Sequence, residues 1–270
     1  MERDRIREYY NSEIEKNRLN HDYFKLEGIR TKEIIGRFLT AKNLNIVDIG
    51  GGAGFYAFWL QSLGHRVSLV DLTPKNIELA MNYAAENRMT LKSCAVGDAR
   101  HLEFPDNEFD IALLLGPLYH LTERKERIKA LREAKRVAKQ GGIVVAAVIS
   151  RYASLFDGFR RDLIQDDHFE KILMNDLLEG IHINDTDNLE YFTTAFFHTP
   201  QAIQAELSES GLKLEKLVAV ESAGWLIDDL PEKIKVERYR TRVQKIIDSI
   251  ESNTDLLALS PHIIAIAKKV

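Results

Sequence analysis

The stretch Ile46-Val-Asp-Ile-Gly-Gly-Gly-Ala-Gly54 decides the fold of this chain of 270 residues. Its apolar first half is typical of a buried strand, and the residues after it, Phe55 to Leu60, have the apolar character of a packed helix. A strand that turns through glycines into a helix is typical of a site for a nucleotide cofactor. The missing side chains let the backbone approach a ligand closely, and the first turn of the helix offers unpaired N–H groups.

Strands and helices alternate from this stretch to residue 149. The apolar runs predict strands at 44–49, 66–71, 91–96, 109–115 and 143–149, and the intervening segments predict helices at 54–62, 74–87 and 122–139. Such alternation is typical of a parallel sheet that helices cover on both faces. In a sheet of this kind a ligand binds beyond the carboxyl ends of the strands, where the strand order reverses.

Acidic residues lie at these carboxyl ends. Asp71 follows Gly50 by 21 residues, a distance at which a carboxylate reaches both hydroxyls of a ribose. Asp98 follows the third predicted strand, within reach of an adenine amino group. For Asp48, before the glycines, a structural role and a water-mediated contact with a cofactor both remain open. Phe55 stands where a dinucleotide-binding turn has a third glycine or another small residue, which argues against NAD.

These motifs, in this order, resemble the class I S-adenosylmethionine-dependent methyltransferases that act on small molecules. Asp106–His120 is similar to the family's segment of the fourth strand, and Lys139–Val148 is similar to its Gly-Gly turn and fifth strand. The resemblance covers residues 44–149 and 196–270. It implies an α/β fold with a Rossmann-like, doubly wound sheet of seven strands, mostly parallel with an antiparallel last strand. N-terminal helices and helical cap insertions complete the expected fold.

The resemblance implies S-adenosyl-L-methionine as the cofactor and S-adenosyl-L-homocysteine as the product. The predicted helices at 2–18 and 23–40 are similar to a lid, in which Tyr10 closes over the cofactor and Arg30 binds its carboxylate in a two-pronged fashion. A helix packed on the core is the alternative for this segment. The other cofactor-binding residues that the resemblance implies are Asp48, Gly50, Gly51, Gly52, Gly54, Asp71, Leu72, Asp98, Ala99, Arg100, Leu115 and Gly116.

The family transfers a methyl group from a sulfonium to an O, N, C or S atom by in-line displacement. Positioning of the acceptor and exclusion of water are the main tasks, and a general base is needed only where the nucleophile starts protonated. Tyr119 and His120, after the fourth strand, are the candidate catalytic residues, and His182, Tyr191 and His198 are further candidates in the cap. A structural role is the alternative for each histidine, and no metal site is predicted.

The chain is predicted to form one methyltransferase domain over residues 1–270. Its parts are a helical lid at 1–40, a cofactor-binding core at 41–150, a cap insertion at 151–197, and the rest of the core at 198–270 with a helical insertion at 224–260. The cap is predicted to hold helices at 154–164 and 168–180 and no strand before 191–197. The C-terminal part is predicted to hold a helix at 199–211, a strand at 212–220, a helix at 231–252 and a last strand at 262–267.

Large apolar residues of the cap favour a partly apolar acceptor, although packing within the protein is the alternative for each of them. They are Leu155, Phe156, Phe159, Phe169, Ile172 and Leu173.

The composition of the chain limits the kinds of partner that we expect it to bind. The net charge of −4 argues against broad affinity for nucleic acids, which requires clustered Lys and Arg. No apolar stretch reaches transmembrane length, the charged N-terminus is unlike a secretory signal, and a single cysteine, Cys94, suits a reducing compartment. We therefore expect a cytoplasmic monomer or homodimer that acts on a small-molecule methyl acceptor, without nucleic acid or membrane as a partner.

Two other functions remain open at the level of sequence. An NAD-dependent oxidoreductase is one, and the position of Phe55 argues against it. A SAM-binding regulatory protein without catalysis is the other, and it would keep Gly52 and Asp71 while transferring nothing.

Overall fold

The computed structural model describes residues 25–186 and 188–270, with the backbone alone at residue 189. The predicted helix at 2–18 and Tyr10 lie outside the described residues. The strands of the described part are β1 Asn45–Ile49, β2 Arg66–Asp71, β3 Ser93–Val96, β4 Phe109–Leu114, β5 Ala138–Ile149, β6 Ile181–His182, β7 Ala195–Phe196, β8 Leu212–Ala219 and β9 His262–Lys269. Its helices are α1 Lys25–Gly36, α2 Phe55–Ser62, α3 Pro74–Glu86, α4 Pro117–His120, α5 Arg124–Val137, α6 Ala153–Arg160, α7 Asp167–Glu179, α8 Pro200–Ser210, α9 Leu230–Lys233 and α10 Glu237–Ile250.

Within residues 25–186 and 188–270, none of these helices has both the length and the apolar character that crossing a membrane requires.

Seven of the strands form one sheet in the order β3-β2-β1-β4-β5-β9-β8. The strands from β3 to β5 in this order pair in parallel. The last strand, β9, runs antiparallel to its neighbours β5 and β8. The residues just after both of these strands pair with residues at the start of β9. Ser150 N–H donates to the Pro261 carbonyl at 2.8 Å, and Val220 N–H donates to the His262 carbonyl at 3.0 Å. The predicted Rossmann-like fold is therefore confirmed.

The central strands β1 and β4 are apolar along most of their length. Ile46, Val47 and Ile49 are buried in β1, and every residue of β4 except Asp110 is buried. Continuous burial of this kind is expected of parallel strands with both faces covered. The strand order reverses between β1 and β4, so a crevice opens at the carboxyl ends of these two strands. The glycine stretch follows β1 at this point.

The chain divides into two compact units. The glycine-turn unit comprises Ile34–Ala147, Gln204–Glu215 and Ala265–Val270. The insertion unit comprises Val148–Ile203, Lys216–Ile264 and the described residues before Ile34. The expectation of one domain with a lid and a cap stays a prediction.

The insertion unit contains a short hairpin that the sequence pattern did not predict. β6 pairs antiparallel with β7, whereas no strand is predicted before a strand at 191–197. Gly180, with a φ of 74°, ends α7 and turns the chain into β6. The side-chain amide of Asn184 donates to the carbonyls of Asn188 and Phe192 and closes the loop. These loop hydrogen bonds define the hairpin, because strands of two residues are too short to show an apolar alternation.

The helix predicted at 231–252 is broken into α9 and α10 by Val236, which is extended with a φ of −79° and a ψ of 111°. Ile234 and Val243, nine residues apart, would lie on opposite faces of one straight helix. The break turns both toward the same cluster of buried side chains, which consists of Leu26, Leu230, Ile234, Val243 and Ile247. Burial of these apolar groups outweighs the loss of one helical turn.

Candidate functional site

The glycine turn, Gly50 to Gly54, joins β1 to α2 where the strand order reverses. Gly50, Gly52 and Gly54 have φ values of 69°, 58° and 89°, in the left-handed region that favours glycine. A methyl group at Gly50 would lie 2.5 Å from Cγ of Pro117, so the protein itself fills that space. A methyl group at Gly52 would meet no atom of the described residues within 4 Å. The backbone at Gly52 therefore faces open space that a ligand can enter.

Asp71, the last residue of β2, ties the glycine turn to the neighbouring helix. One carboxylate oxygen accepts from Gly52 N–H at 2.9 Å, and the other accepts from Thr73 N–H at 2.9 Å and the Asn76 side-chain amide at 3.0 Å. Burial raises the pKa of Asp71, and these donors lower it in part. The side chain of Thr73 is a further donor to this carboxylate and also lowers its pKa. The contact of Asp71 with a ribose stays a prediction.

Asp48, in β1, lies directly beneath the turn, because a methyl group at Gly51 would clash with its Oδ2. It is fully buried, and neither oxygen has a hydrogen-bond partner among the described residues. Burial first, and then the negative charge of Asp71, raise the pKa of Asp48 to about 7, while the Ala57 N–H, in a contact too loose for a hydrogen bond, acts in the opposite direction. An unpartnered carboxylate is costly to bury. The site therefore suits a ligand that brings a donor or a positive charge to Asp48.

The segment after β3 is held at the same edge of the sheet. Gly97 N–H donates to the carbonyl of Asp71 at 2.9 Å. Asp98 accepts from the backbone N–H of Arg100 at 2.9 Å and from its Nε at 2.8 Å, and Arg100 also pairs with Glu126 at 2.7 Å. The guanidinium of Arg100 is thus held by two carboxylates of the protein. The cofactor contacts at this edge that stay predictions are those of Leu72, Asp98, Ala99 and Arg100.

The short helix α4 follows β4 and places Tyr119 beside the glycine turn. A methyl group at Gly116 would lie 3.2 Å from the carbonyl oxygen of Gly50 and 3.6 Å from the hydroxyl of Tyr119. Tyr119 is buried, and its ring meets the ring of His120 edge-on at a centroid distance of 4.6 Å. The two candidate catalytic residues thus lie together at the end of β4, next to Leu115 and Gly116. Their roles stay predictions.

Arg30 has a different role from the predicted one. Its Nη1 lies 2.7 Å from Glu33 and 2.6 Å from Asp248, its Nη2 lies 2.7 Å from Glu251, and its Nε donates to the Val220 carbonyl at 3.2 Å. The side chain is fully buried. Because the guanidinium is already used by three carboxylates of the insertion unit, we no longer propose it as a ligand of a cofactor carboxylate.

His182 is a structural residue rather than a candidate base. Its Nδ1 lies 2.8 Å from Oδ2 of Asp176, its Nε2 lies 2.6 Å from the carbonyl oxygen of Tyr191, and its ring stacks on Phe197 at 4.9 Å. Ser154 donates to the same oxygen of Asp176 at 2.5 Å. Both ring nitrogens of this buried imidazole lie against oxygen atoms of the insertion unit, so neither faces a space where an acceptor molecule could bind.

The two other candidates of the cap are also packed inside the insertion unit. Tyr191 is buried against Phe169 at 5.2 Å, and burial followed by the hydrogen bond to Asp166 raises the pKa of its phenol. His198 is fully buried, its backbone N–H donates to the Ile149 carbonyl at 2.8 Å, and its ring meets Phe196 edge-on. These contacts favour the structural alternative for both residues.

The apolar residues proposed to contact an acceptor mostly form the interior of the insertion unit. Phe169, Ile172 and Leu173 are buried in one cluster with Tyr191, and Leu155 packs against that cluster. Phe156 packs against Trp225 at 5.0 Å, whereas Phe159 is 63% exposed. Packing within the protein therefore explains these residues, with the exception of Phe159.

Three residues of the site were missed by the sequence analysis. Thr73 and Asn76 hold the carboxylate of Asp71, and Pro117 packs on Gly50. An aspartate two residues before a Thr-Pro helix start is a local signal for the Thr73 contact, because aspartates commonly accept from the N–H two residues on. No local signal predicts the contact of Pro117, which begins α4 after the strand β4 and is distant from Gly50 in the chain.

Known proteins that resemble this chain match the same segment. Residues 47–146 match a family described as "Methyltransferase domain". The chain is 34% identical over 119 residues to a ubiquinone/menaquinone biosynthesis C-methyltransferase of Ruegeria sp., covering 43% of this chain and 46% of that protein. It is 29% identical over 140 residues to a ubiquinone biosynthesis O-methyltransferase of Methylocella silvestris, covering 50% of each. The aligned part spans half or less of the length of these two curated relatives.

The fold is similar to that of a SAM-dependent methyltransferase from Methanosarcina mazei. The TM-score is 0.59 at 20% identity, and the match covers 88% of this chain and 97% of that one. A structural similarity at this sequence identity supports only the fold. The family match supports the assignment of the segment that contains the glycine turn. Residues 47–146 therefore match a methyltransferase domain, and the seven-stranded sheet of the chain has a Rossmann-like strand order.

Proposed function

We propose that the chain is an S-adenosylmethionine-dependent methyltransferase that transfers a methyl group to a small-molecule acceptor by in-line displacement. One observation carries the proposal. Within the matched domain, no atom of the described residues lies within 4 Å of a methyl group placed at Gly52, and the buried carboxylate of Asp48, which has no hydrogen-bond partner among those residues, lies under the adjacent Gly51.

The residues around the glycine turn suit this cofactor. S-adenosylmethionine carries an ammonium and a sulfonium, and either positive charge would favour the ionised form of Asp48. Asp71 would accept from the ribose hydroxyls, and the segment from Asp98 to Arg100 would contact the adenine. When bound, the cofactor supplies an electrophilic methyl group. Leu115, Gly116 and the backbone of Gly50 to Gly54 would complete its surroundings.

Tyr119 and His120 are the residues that we propose for positioning the acceptor. The hydroxyl of Tyr119 lies beside Gly116 and is held by a buried ring, so it can orient an acceptor atom. The imidazole of His120 can take the proton of an acceptor that starts protonated. The rest of the rate enhancement would come from holding the acceptor in line and excluding water.

The acceptor that we propose is a small molecule rather than a nucleic acid. Two relatives are named for O- and C-methylation in quinone biosynthesis, which favours an oxygen or carbon atom over nitrogen or sulfur. The net charge of −4 also disfavours a nucleic-acid acceptor. A cytoplasmic monomer or homodimer, with no membrane partner, stays part of the proposal.

Calorimetric titration of the purified chain with S-adenosylhomocysteine, and separately with NAD, tests the cofactor. We expect micromolar binding of S-adenosylhomocysteine and no binding of NAD. Binding of NAD alone would support the oxidoreductase alternative. A methyl-transfer assay with labelled S-adenosylmethionine and a panel of phenols, quinols and amines then separates an enzyme from a SAM-binding regulator. Binding without transfer to any acceptor would favour the regulator.

A further inference from the structure

Glu27, Glu221 and His262 meet in the insertion unit although they are far apart in the chain. Glu27 lies in the first turn of α1, Glu221 follows β8, and His262 begins β9. One potential ligand atom from each residue lies within 4.8 Å of the corresponding atoms of the other two. Nδ1 of His262 is 2.6 Å from Oε1 of Glu221 and 4.0 Å from Oε2 of Glu27.

The chain around Glu221 holds its carboxylate in one orientation. Oε2 accepts from the Ser260 hydroxyl at 2.9 Å and from the His262 N–H at 3.1 Å, which directs Oε1 at the imidazole. The Ser260 oxygen in turn accepts from the N–H groups of Glu221 and Ser222, both at 3.0 Å. Carboxylates that bind metals are oriented by hydrogen bonds of this kind.

The cluster places two buried carboxylates close together. Glu27 and Glu221 are both less than a tenth exposed. Like charges at this separation repel each other, and the low dielectric of a buried site strengthens the repulsion. A divalent cation would reduce this repulsion and accept a bond from all three side chains.

We propose that Glu27, Glu221 and His262 bind a divalent transition-metal ion, with Zn²⁺ as the best match. Imidazole and carboxylate are both ligands of Zn²⁺, at about 2.0–2.2 Å, and three protein ligands leave a fourth position for water. Tetrahedral ligands at that radius lie about 3.4 Å apart. The 2.6 Å contact of His262 with Glu221 would widen and the 4.0 Å separation from Glu27 would shorten, each by less than about 1 Å.

Metal binding has two consequences for the chain. Nδ1 of His262 cannot carry a proton and bind the metal at once, so its hydrogen bond to Glu221 is lost on binding and that proton moves to Nε2 or to solvent. The ion also ties α1 to the ends of β8 and β9 within the insertion unit, so it stabilises the folded chain. The proposal does not depend on methyl transfer, and it fails or holds separately from the proposed function.

Calorimetric titration of the full chain with Zn²⁺, after EDTA treatment and buffer exchange, tests the site. We expect one Zn²⁺ per chain and an affinity at least a hundredfold above that for Mg²⁺. Glu27→Gln and His262→Gln are expected to lose at least tenfold in affinity. His168→Gln is the matched control, since His168 is an exposed histidine 3.5 Å from a carboxylate of Asp166, and it should keep the affinity.

Co²⁺ bound to the unmodified chain gives a readout that does not rely on any variant. The visible spectrum should show d–d bands of a four- or five-coordinate site with nitrogen and oxygen ligands. The proposal is overturned if the unmodified chain takes up no stoichiometric Zn²⁺, or if a thiolate charge-transfer band shows that Cys94 is the ligand. It is also overturned if His168→Gln loses as much affinity as Glu27→Gln.

Discussion

Asp48 and Asp176 are both fully buried carboxylates, one in each compact unit, and they differ in what surrounds them. Oδ2 of Asp176 accepts from Ser154 at 2.5 Å and lies 2.8 Å from the imidazole of His182. Neither oxygen of Asp48 has a partner among the described residues. Oδ1 of Asp176 also has no partner among the described residues, so the difference is that Asp176 has one oxygen paired within the insertion unit and Asp48 has neither. Because an unpartnered buried carboxylate costs stability, a positively charged ligand would stabilise Asp48 more than Asp176.

The same difference explains why some residues that were predicted to be functional have structural roles instead. Arg30 and His182 have the chemistry of a carboxylate clamp and a general base, but their donors and acceptors are used within the insertion unit. Gly52 has no side chain, and no atom of residues 25–186 or 188–270 lies within 4 Å of a methyl group placed on it. A residue of a suitable type therefore indicates a function only under one of two conditions. Either its polar atoms are not already paired within the protein, or the space beside it can admit a ligand.

Asp176→Ala is the strongest test of this comparison. It removes the acceptor of Ser154 and of a His182 nitrogen, so we expect the free energy of unfolding to fall by about 3–5 kcal/mol. Urea unfolding followed by circular dichroism measures the loss. The control is Asp166→Ala, which removes the N-cap of the same helix and should cost about 1 kcal/mol. Equal losses in the two variants would contradict the structural role of Asp176.

Gly52→Val should weaken S-adenosylhomocysteine binding at least a hundredfold, about 3 kcal/mol, because a side chain would occupy the open space beside the turn. Gly64→Val is the matched control, since Gly64 has a φ of 87° and equally open space at a turn outside the site. Both variants force valine into the left-handed region and should lose about 1–2 kcal/mol of stability. Calorimetry should show a loss of binding in the Gly52 variant alone, and similar affinities in both variants would refute the close approach of a ligand.

Asp48→Asn should remove a pH dependence of stability. Because the pKa of Asp48 is raised to about 7 in the folded chain, the folded state holds a proton that the unfolded state has lost, and stability falls as pH rises toward 7. Between about pH 5 and pH 8 the unmodified chain should lose about 3 kcal/mol relative to Asp48→Asn, and the difference should level off above pH 7. Denaturant unfolding at a series of pH values measures it. Parallel curves for the two proteins would show that Asp48 has a partner.

Asp71→Ala should weaken S-adenosylhomocysteine binding by about 1–3 kcal/mol, from loss of a charged acceptor and of the anchor of Gly52 N–H. Asp110→Ala is the control, because Asp110 also accepts from a backbone N–H, that of Asn45, at the opposite edge of the sheet. Titration calorimetry compares the two variants. Unchanged affinity in Asp71→Ala would rule out the ribose contact.

The glycine-turn unit is largely predictable from the sequence because its signals are local. The strand predicted at 66–71 is found at Arg66–Asp71, and the helix predicted at 74–87 is found at Pro74–Glu86. Apolar runs, glycines and an N-terminal proline act on residues that are close in the chain, so a pattern of a few residues predicts them. The elements of the insertion unit are less predictable, because the β6–β7 hairpin and the break at Val236 result from loop hydrogen bonds and from packing.

The sequence by itself determined the order of the five parallel strands, the glycine turn and the acidic residues at the carboxyl edge of the sheet. Only the tertiary structure decided which polar groups are already paired with other groups of the protein. Arg30 meets Asp248 and Glu251, more than 200 residues away, and Glu27 meets Glu221 and His262. The physical reason is that propensity and apolar periodicity act between neighbours in the chain. The partners of a buried charge are set by desolvation and by whichever distant side chains the fold brings within about 3 Å.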